Sequence, residues 1–254
     1  VIQLGKEKIF FENKEGIRIA ATYCASSTDS PIAILCHGFR SSMNSPGLCA
    51  LEKKLVAEGF ATMKFDFRGH GESGGNFEEL IVGGEVDDLN AAISFVEKNV
   101  GKRIGVVGSS LSGLVSIIQA SRDSRIKVLA LRAPVSDFKA LYSANYDIIG
   151  WKKNGFTTTY SRAGKAFKLN YAFYEEGLKY DAYELAEKIR APTLIVHGDK
   201  DDSVPLEQSE KLLKHLRCEK KLVVIKGGTH FLGEVEEHAR IQNEAVAEWF
   251  KKRL

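Results

Sequence analysis

The sequence predicts an α/β fold, a doubly wound, mostly parallel β-sheet broken once by an inserted segment. Three observations carry this. Strand-like runs, most of them apolar, recur at 32–36, 60–67, 103–107, 128–131, 193–196 and 222–225. Apolar residues at helical spacing separate most of them, and strands alternating with helices build a parallel sheet covered on both faces. One interval, 134–188, breaks the alternation and is too long for a simple connection.

The elements follow in order. Residues 8–12 and 17–23 flank a turn at Asn13-Lys14-Glu15-Gly16 and alternate partially, as an antiparallel pair does. From Pro31 the pattern changes, and 32–36 is continuously apolar, as in a central strand. Leu48, Leu51 and Leu55 mark one face of a helix that ends near Gly59. The strand at 60–67 precedes a helix marked by Val86, Leu89, Ile93 and Val96, with helical periodicity starting near Val82. After the strand at 103–107 comes a helix carrying Leu114, Val115, Ile117 and Ile118. Beyond the interruption come the strand at 193–196, a helix at about 206–216, the strand at 222–225, and a last helix with Ala239, Val246, Trp249 and Phe250.

With 254 residues, 44% hydrophobic and 27% charged, the chain suits one globular core carrying an insertion. The division expected is a core of 1–133 and 189–254 with an inserted cap at 134–188. That cap holds seven of the eight tyrosines (Tyr142, Tyr146, Tyr160, Tyr171, Tyr174, Tyr180, Tyr183), and short helices are expected to carry them. The net charge of +3 is too balanced for a nucleic-acid partner, and no basic stripe interleaves with stacking aromatics. No apolar run approaches the roughly 20 residues that span a bilayer. Residues 1–8 have neither a long apolar core nor a small-residue cleavage site, so no signal peptide is expected. Cys24, Cys36, Cys49 and Cys218 are scattered, which reads as buried reduced thiols and a cytoplasmic location. No HExxH or comparable spacing exists, so no metal and no cofactor are expected.

The chemistry is concentrated in Gly108-Ser109-Ser110-Leu111-Ser112-Gly113. A serine at a tight strand-to-helix turn among small residues is how a nucleophile elbow is built, and Ser110 occupies its tip. A serine hydroxyl needs a base, and the base needs an orienting carboxylate. On an open α/β sheet these follow in chain order Ser, Asp or Glu, His, beyond the carboxyl ends of strands. The strand at 193–196 runs into His197-Gly198-Asp199-Lys200-Asp201-Asp202-Ser203-Val204-Pro205, where Asp199, Asp201 and Asp202 compete, with Asp137 a distant fourth. The strand at 222–225 runs into Lys226-Gly227-Gly228-Thr229-His230-Phe231. A lone histidine is more often structural than catalytic. His37, His70 and His197 read as hydrogen-bonded loop or core residues, and His215 and His238 as helix-surface residues. His230 fits by its chain order and its loop.

Five pieces in order carry a resemblance: His37-Gly38-Phe39, Asp66-Phe67-Arg68-Gly69-His70-Gly71-Glu72-Ser73, the elbow, the loop at 197–205 and the loop at 227–231. The chain resembles the α/β-hydrolase superfamily, nearest to its small capped serine esterases, the cinnamoyl/feruloyl esterases and monoacylglycerol-lipase-like hydrolases. The resemblance covers the chain from about Pro31 onward and is weakest in the cap. It implies Ser110 as nucleophile, Asp201 as acid and His230 as base, with an oxyanion hole from the backbone N–H groups of Phe39 and Leu111. Within the loop, it favours Asp201 by its spacing to Val204-Pro205, leaving Asp199 to brace the loop and Asp202 to solvent. One departure stands out, because Ser112 occupies the place of the second glycine of G-x-S-x-G.

Gly69-His70-Gly71-Glu72-Ser73-Gly74 also matches the dinucleotide pattern G-x-G-x-x-G. That pattern needs a helix to open at once, and none is expected before Val82. The expectation is therefore a serine carboxylesterase acting on a small-molecule ester, either aromatic or short-chain. A peptidase or amidase, an acylglycerol lipase and a non-catalytic binding protein on the same fold are its rivals. The cap tyrosines have two readings, lining an acyl or alcohol pocket or covering the core with their ring bodies.

Overall fold

The computed structural model describes residues 5–25, 27 and 29–254. Residues 1–4, part of the segment read as lacking a signal peptide, lie outside them. An eight-stranded sheet runs in the order β1-β2-β4-β3-β5-β6-β9-β10. The antiparallel pair β1 (Gly5–Glu12) and β2 (Arg18–Ala25) forms one edge, and β2 also runs antiparallel to β4 (Ala61–Phe65). From there the sheet is parallel through β3 (Ile32–Cys36), β5 (Ile104–Ser109), β6 (Ile126–Arg132), β9 (Thr193–Gly198) and β10 (Lys220–Ile225). Every side chain of β3 and β4 is buried, which explains why β3 reads as an unbroken apolar run, while β4 also buries Thr62 and Lys64.

Helices cover both faces. α1 (Pro46–Ala57) and α9 (Glu236–Lys251) bury Leu51, Leu55, Val246 and Phe250 against Leu35 and Val107 on one face. α2 (Val82–Asn99), α3 (Leu111–Ala120) and α8 (Leu206–His215) cover the other, with Leu89, Ile93, Leu114 and Leu212 in the core. Each fully buried Leu or Ile contributes roughly 1.5–3 kcal/mol relative to exposure. The chain turns to opposite sides after β3 and after β5, so the crevice beyond these two strands is the topological switch point where such sheets hold ligands.

Between β6 and β9 the chain leaves the sheet. It forms α4 (Phe138–Asn145), α5 (Ile148–Asn154), a hairpin of β7 (Phe156–Tyr160) and β8 (Ala166–Asn170), α6 (Ala172–Gly177) and α7 (Ala182–Ala186). Short helices were expected here and the hairpin was not. Its β-branched run Thr157-Thr158-Thr159 favours a strand, and Gly164 at φ 77° lets the chain reverse.

Three boundaries also differ from expectation. β4 is shorter than 60–67, because Asp66 and Phe67 already turn into the loop. β5 extends to Ser109, and α3 opens at Leu111 rather than Leu114. All four cysteines are free, and only Cys36 is buried; Cys24, Cys49 and Cys218 are half-buried. Among the described residues no helix is long and apolar enough to cross a membrane, and no cluster of His, Cys, Asp or Glu could hold a metal ion.

Candidate active site

Ser110 sits between β5 and α3 with φ 56° and ψ −118°. A side chain in that region costs about 1–3 kcal/mol and persists only where its surroundings hold it. Here they do. Its N–H donates to the Arg132 carbonyl at 2.9 Å, and its carbonyl accepts from Gly113 and Val135. The small neighbours are a steric requirement. A Cβ on Gly108 would lie 2.4 Å from Ser116 Oγ, and one on Gly113 would lie 2.6 Å from Pro134 Cβ. Ser112, the departure from the glycine pattern, is fully buried. Its hydroxyl accepts from Ser109 N–H at 2.8 Å and lies 3.0 Å from the carbonyls of Cys36 and Ser109. It therefore laces the ends of β5 and β3 together where glycine would leave space.

The other two loops arrive as their strands end. His230 Nε2 lies 3.1 Å from Ser110 Oγ, and His230 Nδ1 lies 2.7 Å from Asp201 Oδ2. A carboxylate only accepts, so Nδ1 carries the proton and Nε2 accepts from the Ser110 hydroxyl. The Asp201 side chain is fully buried, and that of His230 is 12% exposed. Asp201 Oδ1 also accepts from Ser203 and Val204 N–H at 2.9 and 2.8 Å. His197 Nε2 lies 3.1 Å from Asp201 Oδ2, while its Nδ1 meets Ser209 Oγ at 2.7 Å. Burial pushes the Asp201 carboxyl up. The hydrogen bonds from His197, His230 and Val204 outweigh that and hold it well below the ordinary carboxylate range.

The sequence reading treated His197 as a core residue. It is buried, and it also fixes Asp201; its place near the end of β9, four residues before Asp201, was the available signal. The competing carboxylates go elsewhere. Asp199 accepts from Gly227 N–H at 2.6 Å and braces the loop, Asp202 is exposed, and Asp137 caps α4 through Ala140 N–H.

Phe39 and Leu111 flank Ser110. Gly38 lets the loop after β3 approach, since a Cβ there would lie 3.2 Å from Ser110 Cβ. Among the described residues neither the Phe39 nor the Leu111 backbone N–H donates a hydrogen bond within the protein. The other motif residues support this loop. His37 donates from Nδ1 to the Gly38 carbonyl at 2.8 Å and accepts from Phe67 N–H at 3.1 Å. Asp66 accepts from Met43 and Glu72 N–H at 2.7 and 2.9 Å. The glycine loop closes on itself through Gly69 N–H to the Gly74 carbonyl, and the next α-helix opens only at Val82.

The β7–β8 hairpin is tied to both loops. Arg40, next to Phe39, donates to Thr159 Oγ1 at 2.7 Å and to the Tyr160 carbonyl. Arg162 pairs with Glu234 and lies 4.4 Å over the ring of Phe231, next to His230. Phe39 stacks on Phe173 at 5.5 Å, with Phe77 and Tyr142 at 5.5 and 6.4 Å.

The sheet order and the three convergent loops define an α/β hydrolase. Residues 49–254 match the prolyl oligopeptidase family, and the chain belongs to it. It is 28% identical over 280 residues to an Escherichia coli 31.7 kDa protein from the traX–finO intergenic region, covering 94% of this chain and 97% of that one. It is 30% identical over 188 residues to the mouse mitochondrial palmitoyl-protein thioesterase ABHD10, covering 71% of this chain and 62% of that one. Among solved structures it is similar to Est1E from Butyrivibrio proteoclasticus with ferulic acid bound. That likeness has a TM-score of 0.85 at 25% identity and covers 96% of this chain and 98% of that one.

Proposed function

We propose that the protein is a serine carboxylesterase working through an acyl-enzyme. The observation that carries this is the continuous chain from Ser110 Oγ through His230 to Asp201, at 3.1 and 2.7 Å. Ser110 attacks the ester carbonyl while His230 Nε2 takes its proton. Asp201 fixes the His230 tautomer and stabilises the imidazolium, with His197 holding Asp201 in place. The Phe39 and Leu111 N–H groups receive the oxyanion, each contributing about 3–4 kcal/mol. His230 then protonates the leaving alcohol, and water releases the acid by the same steps in reverse.

In this reading residues 134–188 form a cap over a core of 1–133 and 189–254. The aromatic box around Phe39 receives the acyl group. The likeness to a ferulic-acid-binding esterase and to a palmitoyl-protein thioesterase supports ester or thioester carbonyls as substrates. The family match favours peptide or amide cleavage as a second reading.

Labelling with a fluorophosphonate, followed by peptide mass mapping, tests the mechanism. The expected result is one adduct on Ser110, absent from Ser110→Ala. Labelling elsewhere, or undiminished ester turnover by Ser110→Ala, would sink it. Kinetics on an anilide beside the matching ester separate the two readings, with faster ester turnover expected.

A further inference from the structure

Arg132 ends β6 and is 9% exposed. Its carbonyl holds the Ser110 N–H, but its side chain lies between α1 and α9. Among the described residues that side chain makes one hydrogen bond, from Nε to Gln242 Oε1 at 2.8 Å, and no ion pair. Nη1 is buried without a partner. Burial alone pulls the guanidinium down to about 10, with no carboxylate near enough to raise it again. Buried charges are ordinarily paired, as Arg68 is by Asp88 and Glu15.

Gln242, which is 1% exposed, adds a second unmet donor. Arginine only donates, so Gln242 must turn Oε1 toward it, and Nε2 is left buried with no acceptor. The start of α1 supplies a third set. Ser45 caps it without a side-chain hydrogen bond, and neither the Gly47 nor the Leu48 N–H finds an acceptor among the described residues. A helix start carries partial positive charge, which repels a cation and attracts an anion. Yet the guanidinium lies against it. A Cβ on Gly47 would stand 3.3 Å from Arg132 Nη2, and apart from α1 and the residues flanking Gly47 no other atom comes within 4 Å of that point. Space is therefore open between the guanidinium and the first turn.

We propose that Arg132, Gln242 and the first turn of α1 form a binding site for a small monovalent anion of the chloride type. Three kinds of unmet donor meet at one guanidinium, and an anion accepts from all of them while neutralising the charge. Water would accept hydrogen bonds but leave the cation unpaired. A halide suits the place better than sulfate or phosphate, because a doubly charged ion costs far more to strip of water. The site lies behind the catalytic loops. Gly47 packs on Gly233, where a Cβ would lie 3.0 Å from Gly47 Cα, and Gly233 is three residues after His230. The anion ties β6, α1 and α9 together there, whatever bond Ser110 breaks.

Thermal melts at constant ionic strength, with sodium gluconate replaced stepwise by sodium chloride, provide the test. The wild type is expected to melt about 3 °C or more higher in about 0.5 M chloride than in gluconate, a ligand-linked shift that grows with chloride concentration. Arg132→Met should abolish the shift. Gly47→Asp brings a carboxylate to the guanidinium from the chain itself, so it too should no longer respond to chloride. If Arg132→Met does not fold, Gly47→Asp carries the test, since a carboxylate at a helix start is favourable in its own right.

Crystals soaked in sodium bromide and read by anomalous scattering locate the ion. The expected result is a bromide peak in contact with the Arg132 guanidinium in the wild type and none there in Gly47→Asp. Equal wild-type melts in chloride and gluconate, or a chloride response undiminished in the variants, overturns the site. A bromide peak at Arg132 without the wild-type response marks an adventitious ion only and overturns it as well. A response with the bromide bound elsewhere does the same.

Discussion

Asp201 with His197 and His230, and Asp66 with His37 and His70, are two buried aspartates that each lie close to two histidines beside the Ser110 loop. Their wiring differs. Asp201 spends one oxygen on backbone N–H groups and leaves the other to the two imidazoles. Asp66 gives its two oxygens to the Met43 and Glu72 N–H groups, and His37 Nε2 lies 3.9 Å away, already accepting from Phe67. His37 and His70 are buried, and desolvation pulls them down to about 4 and about 3. They stay neutral and hold a loop, while His230 keeps 12% of its side chain open and one nitrogen on a hydroxyl. A histidine beside an aspartate is therefore not enough. The carboxylate must have an uncommitted oxygen, and the ring must reach the cleft.

The sharpest way to break this contrast is to remove the base. His230→Ala should lower kcat for an ester by about 10⁴-fold or more with the fold retained, and Ser110→Ala should do the same. A steady-state assay beside a circular dichroism melt checks both. Matched aspartate variants come next. Asp201→Asn should lower kcat by about 10⁴-fold, because the amide no longer enforces the His230 tautomer. Asp66→Asn should instead lower stability by about 1–3 kcal/mol, because the amide nitrogen cannot accept and leaves one of the Met43 and Glu72 N–H groups without its partner. Urea unfolding and kcat measured on both variants decide the matter, and a catalytic collapse in Asp66→Asn without unfolding would erase the distinction.

A smaller effect concerns pH. The folded pKa of His70 lies below its unfolded value. Its contribution is complete above pH 6.5 and is lost as pH falls toward about 3. His70→Phe should therefore reduce the slope of unfolding free energy against pH, between about 4 and 6, by about 1 kcal/mol per unit. Glu85 acts in the opposite sense, since its raised pKa costs stability as pH rises from 4.5 through about 8. That term is common to both proteins and cancels in the comparison. Urea unfolding at several pH values measures the slope. The smallest effect is at Ser112→Gly, where loss of the lacing hydroxyl should cost about 1 kcal/mol and change kcat by less than about threefold.

The sheet was readable because 32–36, 193–196 and the other central runs are buried on both faces, and burial on both faces leaves a continuous apolar signature. Ser110 and His230 stood out in the sequence because each follows a strand, in the order expected of acyl transfer on such a sheet, whereas Asp201 was set apart from Asp199 and Asp202 only by the family resemblance. Their proximity was not readable, since 120 residues separate Ser110 from His230 and only the tertiary fold brings the loops together. The hairpin of β7 and β8 escaped because both strands are short and mostly exposed, so no face carries a clear apolar alternation. The role of His197 escaped because burial and hydrogen bonding describe it equally well as a core residue.

The hairpin's two ties make it a clasp with one end that salt can loosen. At the Arg40 end the partners are a hydroxyl and a backbone carbonyl, which added ions screen little. At the Arg162 end the partner is the Glu234 carboxylate, with both side chains largely in water. Ionic strength weakens exposed ion pairs of this kind. As ionic strength rises, the hairpin is thus held more firmly on the Phe39 side than on the His230 side.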